Sequence, residues 1–256
     1  MAGRTARVDR GRFHSYKLDG QKCDGVTWAI DNGVPKKALI GWAAREAAQY
    51  AVDNLDLITK LDRDAAVDLV KGSPWRDRDR AAKRGTEVHG YAEKLARGQT
   101  VEVPEELVGH VDSYLAFRKE WNPTDELIEL VVFNRTMRYG GTLDVIATLD
   151  ELGRTLVDLK TNRSGPFGEV ALQCAAYRSC EFYLDQETGK ELPMPEVDSV
   201  ACLWLRADGY DLIPVQAGPA EFRMWRYAQQ VAHFSEERSK TVLGDALVPP
   251  TAVGAA

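Results

Sequence analysis

Gly140-Gly141-Thr142-Leu143-Asp144-Val145-Ile146-Ala147-Thr148-Leu149 is followed, across Asp150-Glu151-Leu152-Gly153, by Arg154-Thr155-Leu156-Val157-Asp158-Leu159-Lys160. Both runs are rich in β-formers. The junction carries turn residues and ends on a glycine suited to a left-handed position, so the stretch predicts an antiparallel hairpin. Side chains two apart on a strand share a face. Asp158 and Lys160 therefore project together, while Leu159 points the other way. Asp144 lies across the hairpin among Leu143, Val145, Ile146 and Ala147. A carboxylate in such an apolar strand is costly unless it is paired or binds something. Acids on antiparallel neighbours can reach one cation, and hard oxygen ligands suit Mg²⁺ or Mn²⁺ rather than zinc. An ammonium fixed beside them suits phosphodiester hydrolysis, where it orients water and offsets charge on the phosphate. Taken alone, Asp-x-Lys is equally a solvated surface pair.

Outward from the hairpin the pattern alternates between two periods. Leu127 to Asn134 reads as a further strand before it. Upstream of that strand the spacing is helical. Pro35 opens a helix carrying Ala38, Leu39, Trp42, Ala43, Ala47, Tyr50 and Ala51. A short helix over Asp62 to Lys71 is closed by Gly72, and Ser73-Pro74 begins a long one to Ala96, stopped by Gly98. Another runs from Pro104 to Trp121 and ends at Asn122-Pro123. Downstream the sequence predicts a helix over Gly168 to Asp185, strands over Ser199 to Arg206 and Tyr210 to Pro214, and a helix over Pro219 to Glu237. The opening 25 residues read as a loose lead-in with at most one short strand. The whole predicts one α/β domain: a lead-in over 1–34, a single domain over 35–240 with a helical part at 35–122 and a catalytic core at 84–240, and a flexible tail over 241–256.

Two helical positions add to the hairpin acids. Gln173 and Tyr177, four apart, share a helix face and offer an amide and a hydroxyl to water, to Lys160 or to a phosphate; a half-buried helix face explains them as well. His89 lies on the long helix, with Gly85 one turn earlier leaving room for a close approach and Glu93 one turn later placed to orient the ring. A lone histidine on such a face is also an ordinary core residue.

The order Gly85-x-x-x-His89, Gly140-Gly141-Thr142-Leu143-Asp144, Asp158-Leu159-Lys160-Thr161, Gln173-x-x-x-Tyr177 resembles the RecB-type branch of the PD-(D/E)XK nucleases. That branch includes nuclease domains of bacterial recombination helicases, CRISPR-associated RecB-like exonucleases and many phage exonucleases. The match spans Arg84 to Tyr177. The resemblance implies a restriction-endonuclease-like core, a central mixed β-sheet flanked by helices. It implies that His89, Asp144, Asp158 and the backbone carbonyl of Leu159 ligate one or two Mg²⁺ or Mn²⁺ ions. Lys160 would be the catalytic lysine, Gln173 and Tyr177 its supporting pair, and Glu129 a further acid. Asp158 stands where many relatives carry glutamate. The implied activity is a DNA exonuclease of recombination, repair or phage replication, acting on ends or single-stranded regions, with a recombination protein as partner.

Composition bounds the rest. Four cysteines at 23, 174, 180 and 202 form no Cys-x-x-Cys pair, so they predict buried thiols and argue against the iron–sulfur cluster of some relatives. No apolar run approaches a membrane span and no secretory signal is readable, so the expected compartment is the cytoplasm. The net charge of −6 lacks the strong basic bias of a duplex-coating protein. It keeps open a second reading, a catalytically silent nuclease-fold module that binds nucleic acid or a protein. Arg76, Arg80, Lys83 and Arg84 cluster at helical spacing before His89, interleaved with Asp77 and Asp79; with Arg163 and Arg178 they are the candidate phosphate contacts. Trp75, Tyr139 and Phe167 are candidates to stack on an unpaired base.

Overall fold

The computed structural model describes residues 4–10 and 13–247; the part of the expected tail at 248–256 and residues 1–3 and 11–12 of the expected lead-in lie outside it. The N-terminal segment departs from the expected loose lead-in. It is an antiparallel meander of β1 (Ala6–Arg10), β2 (Phe13–Leu18) and β3 (Gln21–Gly25). Tyr16, Leu18 and Cys23 point inward and close a small core with Phe133 and Phe182. A short helix, α1 (Val26–Gly33), follows.

Next come α2 (Lys37–Asp53), the one-turn α3 (Leu55–Ile58) and α4 (Arg63–Ala96). The two helices expected on either side of Gly72 are one helix of 34 residues. Asp62 caps it, accepting from the amides of Asp64 and Ala65. Proline at 74 removes the amide that would bond the Val70 carbonyl, a loss that usually breaks a helix. The Ser73 hydroxyl donates to that same carbonyl at 2.8 Å, so no acceptor is stranded and the helix continues.

A 3₁₀ turn leads into α5 (Val108–Trp121), which ends on the left-handed Asn122 as expected. Three long strands follow: β4 (Thr124–Asn134), β5 (Tyr139–Leu149) and β6 (Gly153–Lys160), with Gly153 in the left-handed region of the turn. Helix α6 (Glu169–Arg178) stops earlier than the expected Asp185. Phe182 is drawn into the sheet, stacked on Phe133 with ring centroids 5.6 Å apart, and the chain turns into β7 (Phe182–Leu184). Two backbone amides, of Arg135 and Thr136, fix that turn by donating to the Glu181 carboxylate. The remaining elements are β8 (Glu191–Pro193), β9 (Ser199–Arg206), β10 (Gly209–Pro214) and α7 (Pro219–Glu236).

The chain is α/β, with a mixed sheet flanked by helices. β5 lies at its centre. β4 pairs with it antiparallel along most of its length. Its other edge is shared: β3 runs parallel to it at Tyr139–Gly140, and β6 antiparallel to it from Val145 to Leu149. Residues 141–144 of that edge have no strand partner among the described residues. β6 carries on alone with β9, parallel, as far as Lys160 and Trp204. The sheet thus forks just where Asp144 stands. One face packs on α1, α6 and α7, with Trp225 and Tyr139 fully buried. The other packs on the end of α4 and on α5 through Val88, Ala92, Tyr114 and Phe117.

Candidate metal centre and cleft

Strict alternation fails at one level of β4 and β5. Leu127 and Leu130 face the same core, and so do Leu143 and Ile146, although each pair is an odd number of residues apart. The residues inside the breaks are Glu129 and Asp144. Glu129 has a left-handed backbone, φ 51°, a strained conformation for a residue with a side chain. The Ile128 and Glu129 carbonyls it exposes accept from the Gln186 amide at 2.9 and 3.0 Å. Both acids thereby turn toward His89 on α4. Ligand atoms of His89, Glu129 and Asp144 lie within 4.8 Å of one another and could hold a metal ion. Two carboxylates and an imidazole form a donor set that fits a hard or borderline divalent cation.

The fork supplies the rest. Continued one residue past Val145 and Val157, the β5–β6 register sets Asp144 opposite Asp158. There β6 leaves β5, and the Leu159 amide donates to Asp144 Oδ2 at 2.7 Å in place of a strand carbonyl. In an extended residue the carbonyl faces the same edge as its amide, so the Leu159 carbonyl also looks into the fork. His89 Nδ1 lies 3.2 Å from the other oxygen of Asp144.

Asp158 lies beside this group, opposite Asp144 across the fork. It is 1% exposed and bonded to the Lys160 ammonium, on the α6 side of β6, and is not among the three clustered ligands. Glu129 takes the third place. Lys160 also approaches Gln173 Oε1 at 3.4 Å, and Gln173 donates to the Tyr177 hydroxyl at 3.2 Å. The expected supporting pair thus lies behind the lysine. Gly141 is required here, since a Cβ on it would sit 2.4 Å from the Tyr177 ring. Gly85 plays the expected role more mildly: a Cβ there would meet the Thr161 hydroxyl at 3.0 Å.

Burial and charge set the protonation states. Burial, then the neighbouring charge of Asp144, pushes Glu129 up to about 7. Burial alone would raise Asp144, but His89 and Lys160 hold it below the ordinary carboxylate value. Burial would lower His89, but Asp144 holds it above the usual imidazole value. Burial raises Asp158 despite Lys160. Lys160, though buried, is kept charged by Asp158 and Asp144.

Beside the cluster opens a cleft of about 470 Å³, floored by α4 and walled by β5, α6 and the N-terminal meander. Arg7, His14 and Tyr16 line that wall. Sequence reading misses them, because nothing in the short polar runs of 6–18 marks them as strands beside a site.

Other candidates fall elsewhere. Glu93 accepts from Arg97 at 3.2 Å and does not bond the His89 ring. Arg80 is paired with Asp77, and Lys83 lies 3.7 Å from Glu87. Arg76 donates to the Leu69 carbonyl and lies over the Tyr50 ring. Arg178 donates to the Val197 carbonyl at 2.9 Å, tying α6 to the loop before β9. Arg84 is half-buried, with its Nε unpartnered among the described residues, and Arg163 is exposed. Tyr139 is fully buried with its hydroxyl on the Ala176 carbonyl, which excludes it from base stacking. Trp75 and Phe167 remain exposed, Trp75 with Arg78 over its ring. All four cysteines are buried. Among the described residues no helix is long and apolar enough to cross a membrane.

No family model matches the chain, and no curated protein matches it. Among solved structures it is similar to "Crystal structure of SSO0001", with 15% identity over 61% of this chain and 73% of that one, at a TM-score of 0.30. Agreement at that level leaves the chemistry to be read from this chain's own residues.

Proposed function

We propose that the chain is a divalent-metal-dependent DNA nuclease with a PD-(D/E)XK-type core, hydrolysing phosphodiester bonds at strand ends. The observation that supports this best is the convergence of His89, Glu129 and Asp144 at the sheet fork, with the Asp158–Lys160 pair directly behind. A bound Mg²⁺ or Mn²⁺ would polarise the phosphate and acidify water. His89, Glu129 and Asp144 would hold it, with the Leu159 carbonyl facing the same space. Lys160, charged at neutral pH, offsets negative charge as water attacks phosphorus and the bond to the 3′ oxygen breaks. Asp158 fixes the lysine from one side and Gln173, steadied by Tyr177, from another. Without a cation, burial and Asp144 hold Glu129 near 7, so cation binding there is expected to weaken as pH falls below 7.

Linear single- and double-stranded DNA incubated with Mg²⁺ or Mn²⁺ tests the reading. The wild type is expected to degrade one or both. Lys160→Ala is expected to be slower by about 10²- to 10³-fold. Equal degradation by the two forms overturns the mechanism. The binding-module reading draws on the net charge of −6 and the paired state of Arg80 and Lys83. DNA binding with neither hydrolysis nor a Mn²⁺-dependent rise in melting temperature would select it.

A further inference from the structure

We propose that Arg7, on the N-terminal meander, grips a phosphate of the substrate strand across the cleft from His89. The inference rests on the nuclease reading and adds to it a substrate form, a single strand held by one phosphate near the scissile bond. A cleft of about 470 Å³ is of the size that takes in a group as large as one nucleotide, so it engages one strand at a time. Its lining carries three acids, Glu93, Glu129 and Asp144, and Arg7 is its single arginine or lysine among the described residues. A polyanion entering such a cleft meets repulsion that a cation at the His89 end offsets only locally. Arg7, although its Nε is paired with Asp9, brings a cationic group to the meander side of that cleft.

The arginine is also held ready for the role. Its Nη1 donates to Thr142 Oγ1 at 3.1 Å and its Nε to Asp9 at 2.9 Å. Two of the five N–H donors of a guanidinium are then used among the described residues, and the rest remain for a planar, two-pronged grip on phosphate oxygens. Thr142 is held in turn by the Tyr16 hydroxyl at 3.0 Å. It lies two residues before Asp144 on the same strand, about 7 Å away along the backbone. One strand thus spaces the anchor of the arginine from the ligand of the cation by a distance on the order of one nucleotide of extended chain. The group gripped is a phosphate oxyanion, either the terminal phosphate of a strand end or an internal phosphodiester.

Steady-state hydrolysis by wild type, Arg7→Gln and Arg7→Lys tests this on three substrates: a 5′-phosphorylated single strand, its 5′-hydroxyl counterpart and circular single-stranded DNA. Arg7→Gln is expected to raise KM about ten- to a hundredfold with kcat within about threefold, and Arg7→Lys to recover part of the loss. A rise confined to the phosphorylated end assigns the terminal source; an equal rise on every cleaved substrate assigns the internal one. A folded Arg7→Gln with unchanged KM on all substrates overturns the inference. If that variant does not fold, the wild type is assayed on strands carrying one neutral methylphosphonate at successive positions. One position near the cut should raise KM, and a flat profile overturns the inference. A wild type that cleaves no DNA with either metal removes the nuclease reading and this inference with it. A wild type that cleaves while the Arg7 tests fail removes the inference alone.

Discussion

Two histidine–aspartate pairs occur among the described residues, and they do different work. His233 on α7 meets Asp24 at the end of β3 at 2.7 Å, and Gln229 donates to the same aspartate oxygen at 2.7 Å. The ring lies edge-on to Trp28. That pair pins α7 to the meander; the second acid near the ring, Glu237 at 3.5 Å from Nδ1, is exposed and so costs little. His89 meets Asp144 at a looser 3.2 Å, yet a second acid, Glu129, is turned into the same space on a strained backbone. Its carboxylate has no hydrogen bond or ion pair among the described residues. Contact geometry would rank His233–Asp24 first; surplus buried negative charge ranks His89–Asp144 first. A cation site is marked by charge left unmatched, which burial makes costly.

The strongest way to break this comparison is to neutralise each aspartate in turn. Asp144→Asn is expected to abolish the Mn²⁺-induced rise in melting temperature and to slow DNA hydrolysis by about 10³-fold or more. Asp24→Asn should leave both intact apart from a loss of stability. Equal effects of the two on Mn²⁺ binding would remove the distinction. Glu129→Gln sharpens it. Mn²⁺ affinity, read by titration, should fall at least about tenfold, while the metal-free protein melts higher because repulsion beside Asp144 is relieved.

The pH dependence has a definite sign. The folded state holds Glu129 near 7, above the ordinary carboxylate value, so folding favours its protonated form. That contribution is fully present below the unfolded value and is lost as pH rises through 7. Metal-free wild type, unfolded by urea at pH 5 and pH 8, should lose on the order of 2–3 kcal/mol more than Glu129→Gln does. A matching loss in both forms would count against a buried, unpaired Glu129. The smallest effect belongs to the other pair. His233 is raised above its ordinary value, with burial opposing and Asp24 prevailing. Its contribution is present below about 6.5 and fades as pH rises through the folded value. His233→Gln should cost less than about 1 kcal/mol at pH 6, with hydrolysis unchanged.

The central hairpin was legible because β-branched alternation, a turn glycine and the Asp-x-Lys spacing all act locally. Gln173 and Tyr177 share a helix face, and Asp158 and Lys160 a strand face, as their spacing suggests; His89 lies beside Asp144, which only the resemblance implied. Glu129 was expected as a further acid only through the resemblance; the backbone that turns it into the cluster was not legible. That turn depends on a positive φ at Glu129 and on a simultaneous break in β5, and neither leaves a sequence signal. The meander of 6–25 was hidden because its few inward residues, Tyr16, Leu18 and Cys23, find their partners Phe133 and Phe182 more than a hundred residues away. Continuity of α4 through Pro74 turned on one hydroxyl, that of Ser73, whose bond to Val70 no periodicity announces. Arg178 and Tyr139 read as surface groups but are committed to carbonyls of the fold.

The Leu159 amide, held by a side chain where its neighbours are held by a strand, gives the molecule a built-in gauge. Its hydrogen bond lasts only while the Asp144 carboxylate stays in place. Deuterium uptake at that single position therefore tracks how firmly Asp144 is held, one amide reporting on the state of the whole centre.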